Sequence, residues 1–389
     1  MLGFLARRVP TLLLAGGLSI AVAGSALAAS WSPATPLTSS GNVWNGRIAN
    51  LGTSSAIVVY QKGKKIQTRR TIDGGLTWRV PALVSKTGAA PDIAGSGSAV
   101  DIVWAQGRSI RYRRSINGGS TYRPAITLGS IRVCPKNTAG CSPAPGPQVA
   151  HGPNGIVAVT WLDDRTDGHN RIYVRVSTNS GATFGPARLV HDDTSGSLLI
   201  SGPDVAVGSL GVIHVAFLQY ESDYVDALDV TRSTDSGSSW SRPIALGTAM
   251  DTNYYEGPVC GPALTAIDTH AYVAYCDGYY DDVNGPQYGI SYSRTIDSGQ
   301  TWTDGQMVTP LAQYDSPAIE LSGGVLRLIY GHYDSGGKVL YRQSTNGLTW
   351  SSQEAVAGGD SYTGGVTYVG GKVVVLFYDG NAKVTTRTP

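Results

Sequence analysis

One short phrase, written six times along the chain, constrains the fold more than any other feature. It appears as Thr71–Trp78, Ser115–Tyr122, Ser177–Phe184, Ser233–Trp240 and Thr295–Trp302, and once more, one residue shorter, as Ser344–Trp350. Each copy opens on Ser or Thr, places Asp or Asn third, carries glycine in the middle and ends on an aromatic residue. An Asp or Asn side chain accepts backbone N–H bonds, glycine takes positive φ without penalty, and a terminal aromatic ring folds back as a plug. This is the chemistry of a hairpin turn. The third positions, Asp73, Asn117, Asn179, Asp235, Asp297 and Asn346, are therefore structural. They lie 44, 62, 56, 62 and 49 residues apart, a spacing that indicates an array of sheets.

Two β-rich runs precede each phrase, as in Ala99–Trp104 and Ile110–Arg114, and one more follows it. With the run that opens each unit this makes four strands, the blade of a β-propeller. Fifty glycines and twenty prolines exclude a chain built on long helices. Six phrases count six blades, but Tyr362–Arg387 reads as three further strands. Ser30–Leu37 resembles the run that follows every phrase, for example Ser239–Leu246. The expectation is an all-β, seven-bladed propeller of four-stranded antiparallel blades, closed by the N-terminal strand in the last blade. Six blades with a loose tail is the alternative.

Residues 1–28 carry Arg7 and Arg8, an apolar run from Thr11 to Gly24 and the small-residue ending Ala26-Leu27-Ala28. These are the parts of a secretory signal peptide, which leaves 29–389 as one propeller domain, secreted to an extracellular or periplasmic space. Export permits disulfides, and the four cysteines fall into the local pairs Cys134 with Cys141 and Cys260 with Cys276. Without Arg7 and Arg8 the lysines and arginines number 28 against 28 acids, so overall charge offers no reason to bind nucleic acid. A monomer with no membrane insertion after cleavage is expected.

In a meander the turn phrases share one face with the first-to-second turns. The other face collects the second-to-third loops and the crossovers, where length varies and function is carried. Aligning the unit openings on Arg47, Pro91, Pro147, Pro203, Pro258, Pro317 and Gly365 places Trp44, Tyr255, Tyr314 and Tyr362 near the mouth of the axial channel. Asn45, Glu256, Asp315 and Thr363 stand beside them. Aromatic faces cover sugar C–H surface while polar groups take hydroxyls, so these residues form a candidate glycan cleft. The same residues also fit a packing role in the crossovers. Asp163 and Arg165 belong to the acidic loop at 163–170. The carboxylates at 163–167 and 277–282 suit calcium or a solvated loop; no other cofactor is implied.

The phrase resembles the Asp-box, or bacterial neuraminidase repeat, and the chain is similar to sialidase-like Asp-box propellers over nearly its whole mature length. That family includes glycosidases and non-catalytic members. The resemblance implies a tyrosine nucleophile paired with a glutamate, an aspartic acid/base and three arginines on the substrate carboxylate. Arg47, Tyr314 and Glu256 match the first arginine, the nucleophile and the glutamate. The chain departs from the pattern elsewhere: the second-to-third loop of the first blade, Gln61–Lys65, has no carboxylate, and Arg165 and Arg171 sit on another blade. The expectation is a secreted propeller that binds an extracellular glycan or glycoprotein with an incomplete catalytic set. The alternatives are an exo-sialidase or other glycoside hydrolase and a non-catalytic surface scaffold.

Overall fold

The computed structural model describes residues 30–388 apart from 40, 42, 132–145, 164–170, 193–197, 222–225, 250–260, 282–284, 310–313 and 333–335. A two-residue strand, β1 (Thr35–Pro36), comes first. Blade one follows as β2 (Val43–Asn50), β3 (Ala56–Lys62), β4 (Lys65–Thr71) and β5 (Ala82–Ser85). Blade two is β6 (Ala89–Ser96), β7 (Ala99–Gln106), β8 (Ser109–Ser115) and β9 (Ile126–Ser130). Blade three is β10 (Gln148–His151), β11 (Val157–Asp163), β12 (Arg171–Ser177) and β13 (Arg188–Asp192). Blade four is β14 (Leu198–Val207), β15 (Ile213–Glu221), β16 (Asp226–Ser233) and β17 (Ile244–Ala249). Blade five is β18 (Ala263–Ile267), β19 (His270–Asp281), β20 (Gly285–Thr295) and β21 (Gln306–Met307). Blade six is β22 (Tyr314–Ser322), β23 (Val325–His332), β24 (Lys338–Ser344) and β25 (Glu354–Ala357). Blade seven has β26 (Tyr362–Val369), β27 (Lys372–Tyr378) and β28 (Ala382–Arg387), with β1 as its outer strand.

All seven sheets are antiparallel and four-stranded, and the first strands β2, β6, β10, β14, β18, β22 and β26 follow one another around the axis until β26 meets β2. Seven blades, not six, complete the ring. The closure is that expected: Thr35 pairs with Val384, Pro36 with Lys383, and Trp31 bridges to Arg387.

Second strands read as nearly unbroken apolar runs because each blade buries both faces against its neighbours; Ala56 to Tyr60 of β3 are all inaccessible. The core is accordingly divided into seven apolar clusters, one in each interface between blades. Six of them receive the aromatic residue that ends a turn phrase: Trp78, Tyr122, Phe184, Trp240, Trp302 and Trp350. The seventh, between blades six and seven, has no phrase to draw on. Trp31 occupies that place, edge-on to Tyr341 with ring centroids 5.3 Å apart.

The turn phrases have the expected hydrogen bonds. Thr77 N–H donates to Asp73 Oδ1 at 2.9 Å, Thr121 N–H to Asn117 at 2.9 Å and Thr183 N–H to Asn179 at 2.9 Å. Ser239 N–H reaches Asp235 at 2.9 Å, Thr301 N–H Asp297 at 3.0 Å, and Thr349 N–H Asn346 at 2.9 Å. The left-handed conformation extends to the residue after the acid or amide, so Ser180, Ser236 and Ser298 carry it where other copies have glycine. The arginine before several phrases latches adjacent blades: Arg70 donates to Gly118 O at 3.2 Å, Arg232 to Ser298 O at 2.7 Å and Arg294 to Asn346 O at 2.9 Å.

At the closing seam backbone meets backbone. Gly370, φ +62°, turns β26 into β27 and donates its N–H to Thr53 O of blade one at 2.6 Å. A Cβ on Gly370 would stand 2.4 Å from the Cα of Gly74, whereas one on Gly371, φ +74°, would meet nothing within 4 Å. Gly370→Ala should therefore destabilise the protein by about 2 kcal/mol or more, and Gly371→Ala by about 1 kcal/mol. Thermal unfolding of the two variants measures the difference; equal losses would show that the seam is not tightly packed.

Candidate functional site

The strand order puts the turn phrases and the first-to-second turns on one face, and the second-to-third loops and crossovers on the other. First strands begin at the second, loop-bearing face. In five blades the first strand breaks register near its start, between Trp44 and Arg47, Ala89 and Asp92, Ser201 and Asp204, Asp315 and Ala318, and Thr363 and Gly365. These are β-bulges, which twist an edge and re-aim the side chains beside it. Asn45 lies within the first bulge at φ +48°. The ring of aromatic expectations falls at this end: Trp44 is 53% exposed and Tyr362 is 45% exposed, on the adjacent first strands β2 and β26.

Pairing also corrects the alignment of the blade openings. Counting from the second strands, the position of Pro91, Pro147, Pro203, Pro317 and Gly365 is held in blade one by Gly46 and in blade five by Pro262. Trp44 is thus one place further along its first strand than its alignment with Tyr314 and Tyr362 implied. In blade five the count runs from Pro262 and not from Pro258, the proline from which Tyr255 is counted. Sequence spacing missed the first because five residues separate the paired Asn50 and Ala56 where four separate the paired Gly95 and Val100, and the second because blade five offers two prolines, Pro258 and Pro262.

The residue after that position is Arg47, Asp92, Gln148, Asp204, Ala263, Ala318 and Val366 around the ring. Arg47 is exposed, and its guanidinium donates to Gly46 O at 3.0 Å. Asp92 Oδ2 accepts Val149 N–H of blade three at 2.7 Å, and Asp204 Oδ2 accepts Leu264 N–H of blade five at 2.7 Å. Each carboxylate therefore clamps its own first strand to the next. Burial pushes Asp92 up to about 6, against the pull of Arg47 and of the backbone N–H groups. Burial likewise pushes Asp204 up to about 7, assisted by the charge of Asp92 and opposed by its N–H donors and Arg47. Residues from blades one, two and four influence one another in this way only across the axis, so they mark the channel. The sequence signal for them is the pair Pro91-Asp92 and Pro203-Asp204, a carboxylate directly after the opening proline, not before it.

Of the other expected site residues, Asp163 closes β11 opposite Arg171 and is 5% exposed, a buried strand end and not part of an open loop. Tyr314 opens β22 with its backbone opposite His332, and Asp315 is opposite Gly331. Tyr255, Glu256, Arg165, Cys134, Cys141 and Cys260 lie outside the described residues; Cys276 is buried on β19, and no described cysteine is free. Among the described residues no three His, Cys, Asp or Glu side chains cluster as a metal site, and of the two carboxylate stretches considered for calcium Asp164, Asp167 and Asp282 lie outside them.

No family model and no curated protein matches this sequence. Solved structures do. The polysaccharide lyase Uly1 superposes with a TM-score of 0.56 at 10% identity, over 88% of this chain and 89% of its own. The BP39L lectin from Burkholderia pseudomallei gives 0.55 at 14% identity, over 87% and 95%. A PL25 ulvan lyase bound to -[GlcA(1-4)Rha3S]- gives 0.50 at 10% identity, over 75% and 78%. The class shared is the seven-bladed β-propeller, and at these identities the likeness is one of fold.

The charges set a pH dependence. Folded Asp92 and Asp204, with Asp229 pushed up to about 6 by burial, favour the neutral carboxyl, so their contribution is complete below the ordinary carboxylate range and is lost as pH rises through about 6 to 7. Asp73 and Asp297 are nudged up by slight burial but held well below the usual range by hydrogen bonds from Thr77 and Thr301. Asp235 is lowered chiefly by Ser239. Their contribution is complete above the ordinary range and is lost as pH falls toward about 2. The melting temperature should peak at about pH 4, in the ordinary carboxylate range where the two contributions meet, and fall by pH 8, with the alkaline fall reduced in Asp204→Asn. A melting temperature that rises from pH 5 to pH 8 would contradict this placement of the carboxylates.

Proposed function

We propose that this chain is an exported, monomeric, glycan-binding propeller of the sialidase-like Asp-box kind, holding an extracellular glycan or glycoprotein at its loop-bearing mouth. The observation that carries the reading is the pair of exposed rings, Trp44 and Tyr362, on adjacent first strands at the bulged end of the channel. Large aromatic faces left in water at the mouth of a rigid scaffold are what a sugar's C–H surface packs against, with Asn45 and Thr363 beside them for hydroxyls. A lectin and two polysaccharide lyases among the structural neighbours agree with a carbohydrate role. Cleavage after residue 28 and the pairs Cys134–Cys141 and Cys260–Cys276 belong to the same reading, since an oxidising compartment would keep both bridges closed.

A second reading, a glycoside hydrolase using Tyr314, Glu256 and Arg47, is favoured by one observation. The Arg47 guanidinium is exposed and forms no ion pair among the described residues, which leaves it able to grip a substrate carboxylate. Binding of the mature chain to a glycan array, run beside a panel of chromogenic glycosides, separates the two. The binding reading predicts retention of specific glycans without turnover, weakened by about tenfold for each of Trp44→Ala and Tyr362→Ala. Turnover that is lost in Arg47→Ala would establish the hydrolase instead, and array binding unchanged in both aromatic variants would remove the mouth as the site.

A further inference from the structure

The overall charge balance conceals a segregation. Residues 30–131, which form β1 and blades one and two, hold thirteen lysines and arginines against three acids. The three acids are unavailable to the loop-bearing face: Asp73 is in a turn phrase on the opposite face, while Asp92 and Asp101 are buried. The rest of the mature chain carries fifteen basic residues against twenty-five acids. One sector of the loop-bearing face is thus cationic without any acid among its described residues, on a molecule that is acidic elsewhere.

The cations divide by what they touch. Arg69 donates to Leu37 O at 2.6 Å and Trp78 O at 2.9 Å, Arg70 to Gly118 O at 3.2 Å, and Arg113 to Arg123 O at 2.8 Å; these hold the fold. Lys62, Lys64, Lys65, Lys86 and Arg108 have no such duty. They occupy the β3–β4 turn, the β5–β6 crossover and the β7–β8 turn, and none forms an ion pair among the described residues. All but half-buried Lys62 are exposed. The three loops are tied into one surface: Ala90 N–H donates to Gln61 Oε1 at 3.1 Å, Gln61 Nε2 to Gly63 O at 2.9 Å, and Gln106 Nε2 to Thr87 Oγ1 at 2.7 Å. Exposed Trp44 pairs in register with Gln61, so its ring adjoins the lysine turn, and Arg47 continues the cationic line to the axis.

We infer that this sector of blades one and two is a binding arc for an acidic polysaccharide, a chain bearing uronate or sulfate groups. The inference deepens the glycan reading and rests on it. Like charges held together in water without counter-charges repel one another, and an extended polyanion relieves that repulsion while releasing its own counterions. The arc offers one tryptophan at its inner end and mainly lysine point charges along its length. That composition matches regularly charged sugars, one ring face and a succession of anions. It lacks the run of aromatic platforms that unstacked bases require.

The test is a titration of the full mature chain with heparin, polygalacturonate, uncharged dextran and arabinan, and a single-stranded oligothymidylate. It is repeated with the triple variant Lys64→Glu, Lys65→Glu, Lys86→Glu, whose exposed positions leave folding intact. The arc predicts binding of heparin or polygalacturonate that weakens roughly tenfold between 50 and 200 mM salt and at least tenfold in the triple variant. Trp44→Ala should weaken it further. Equal binding of acidic polysaccharide by the triple variant, or binding of uncharged glycans alone, would overturn the arc and leave the aromatic mouth standing. Oligothymidylate bound more tightly than either acidic polysaccharide would overturn the choice of partner. Failure to bind any glycan, acidic or uncharged, would remove the glycan reading along with the arc.

Discussion

The pairing of Thr35 and Pro36 with Val384 and Lys383 is the contact on which the rest of the structure depends. A propeller blade has two apolar faces and is stable only when both are covered, so a ring lacking its last interface would expose two faces at once. The seventh blade has three strands of its own, and the fourth comes from the opposite end of the sequence. Trp31 arrives with it and fills the interface that the phrase aromatics fill elsewhere, which makes the N-terminal segment both strand and plug. At the neighbouring interface, between blades seven and one, the Gly74–Gly370 approach brings backbone against backbone.

Closure fixes the geometry of the axis. Once the seven first strands are held in a ring, the carboxylates of Asp92 and Asp204 are forced into the narrow space they surround, where each takes a backbone N–H from the next blade. That arrangement exchanges electrostatic comfort for rigidity: the carboxyls resist ionisation, and Arg47 tempers the cost. The same rigidity keeps Trp44 and Tyr362 presented to solvent, because rings on bulged strand ends cannot fold back into cores already filled by Trp78 and its counterparts.

Much of the fold was legible because the turn phrase repeats its chemistry. Asp or Asn accepting an N–H three or four residues on, glycine at positive φ and the returning aromatic are local requirements, and local requirements leave marks in sequence. Blade number followed from them together with the likeness of Ser30–Leu37 to Ser239–Leu246. The site was less legible. Blade five carries two prolines, and Pro262, not the Pro258 from which Tyr255 is counted, fixes the register; Asp92 and Asp204 stand directly after the prolines that flag them. Charge segregation escaped a whole-chain balance for a simpler reason: the sum is blind to where the fold places each residue. The positive φ of Ser180, Ser236 and Ser298 shows the converse, a backbone demand met by a residue type that does not advertise it.

The aromatic mouth and the cationic arc both require the closed ring, so the most direct measurement is of closure itself. Thermal unfolding of a chain beginning at Ser30 is to be compared with that of one beginning at Ser39, which lacks β1 and Trp31. The account predicts one cooperative transition for the longer chain. For the shorter it predicts a fall of roughly 10 °C or more, or loss of the single transition, together with binding of an apolar dye at the exposed faces. Superimposable unfolding curves would contradict it.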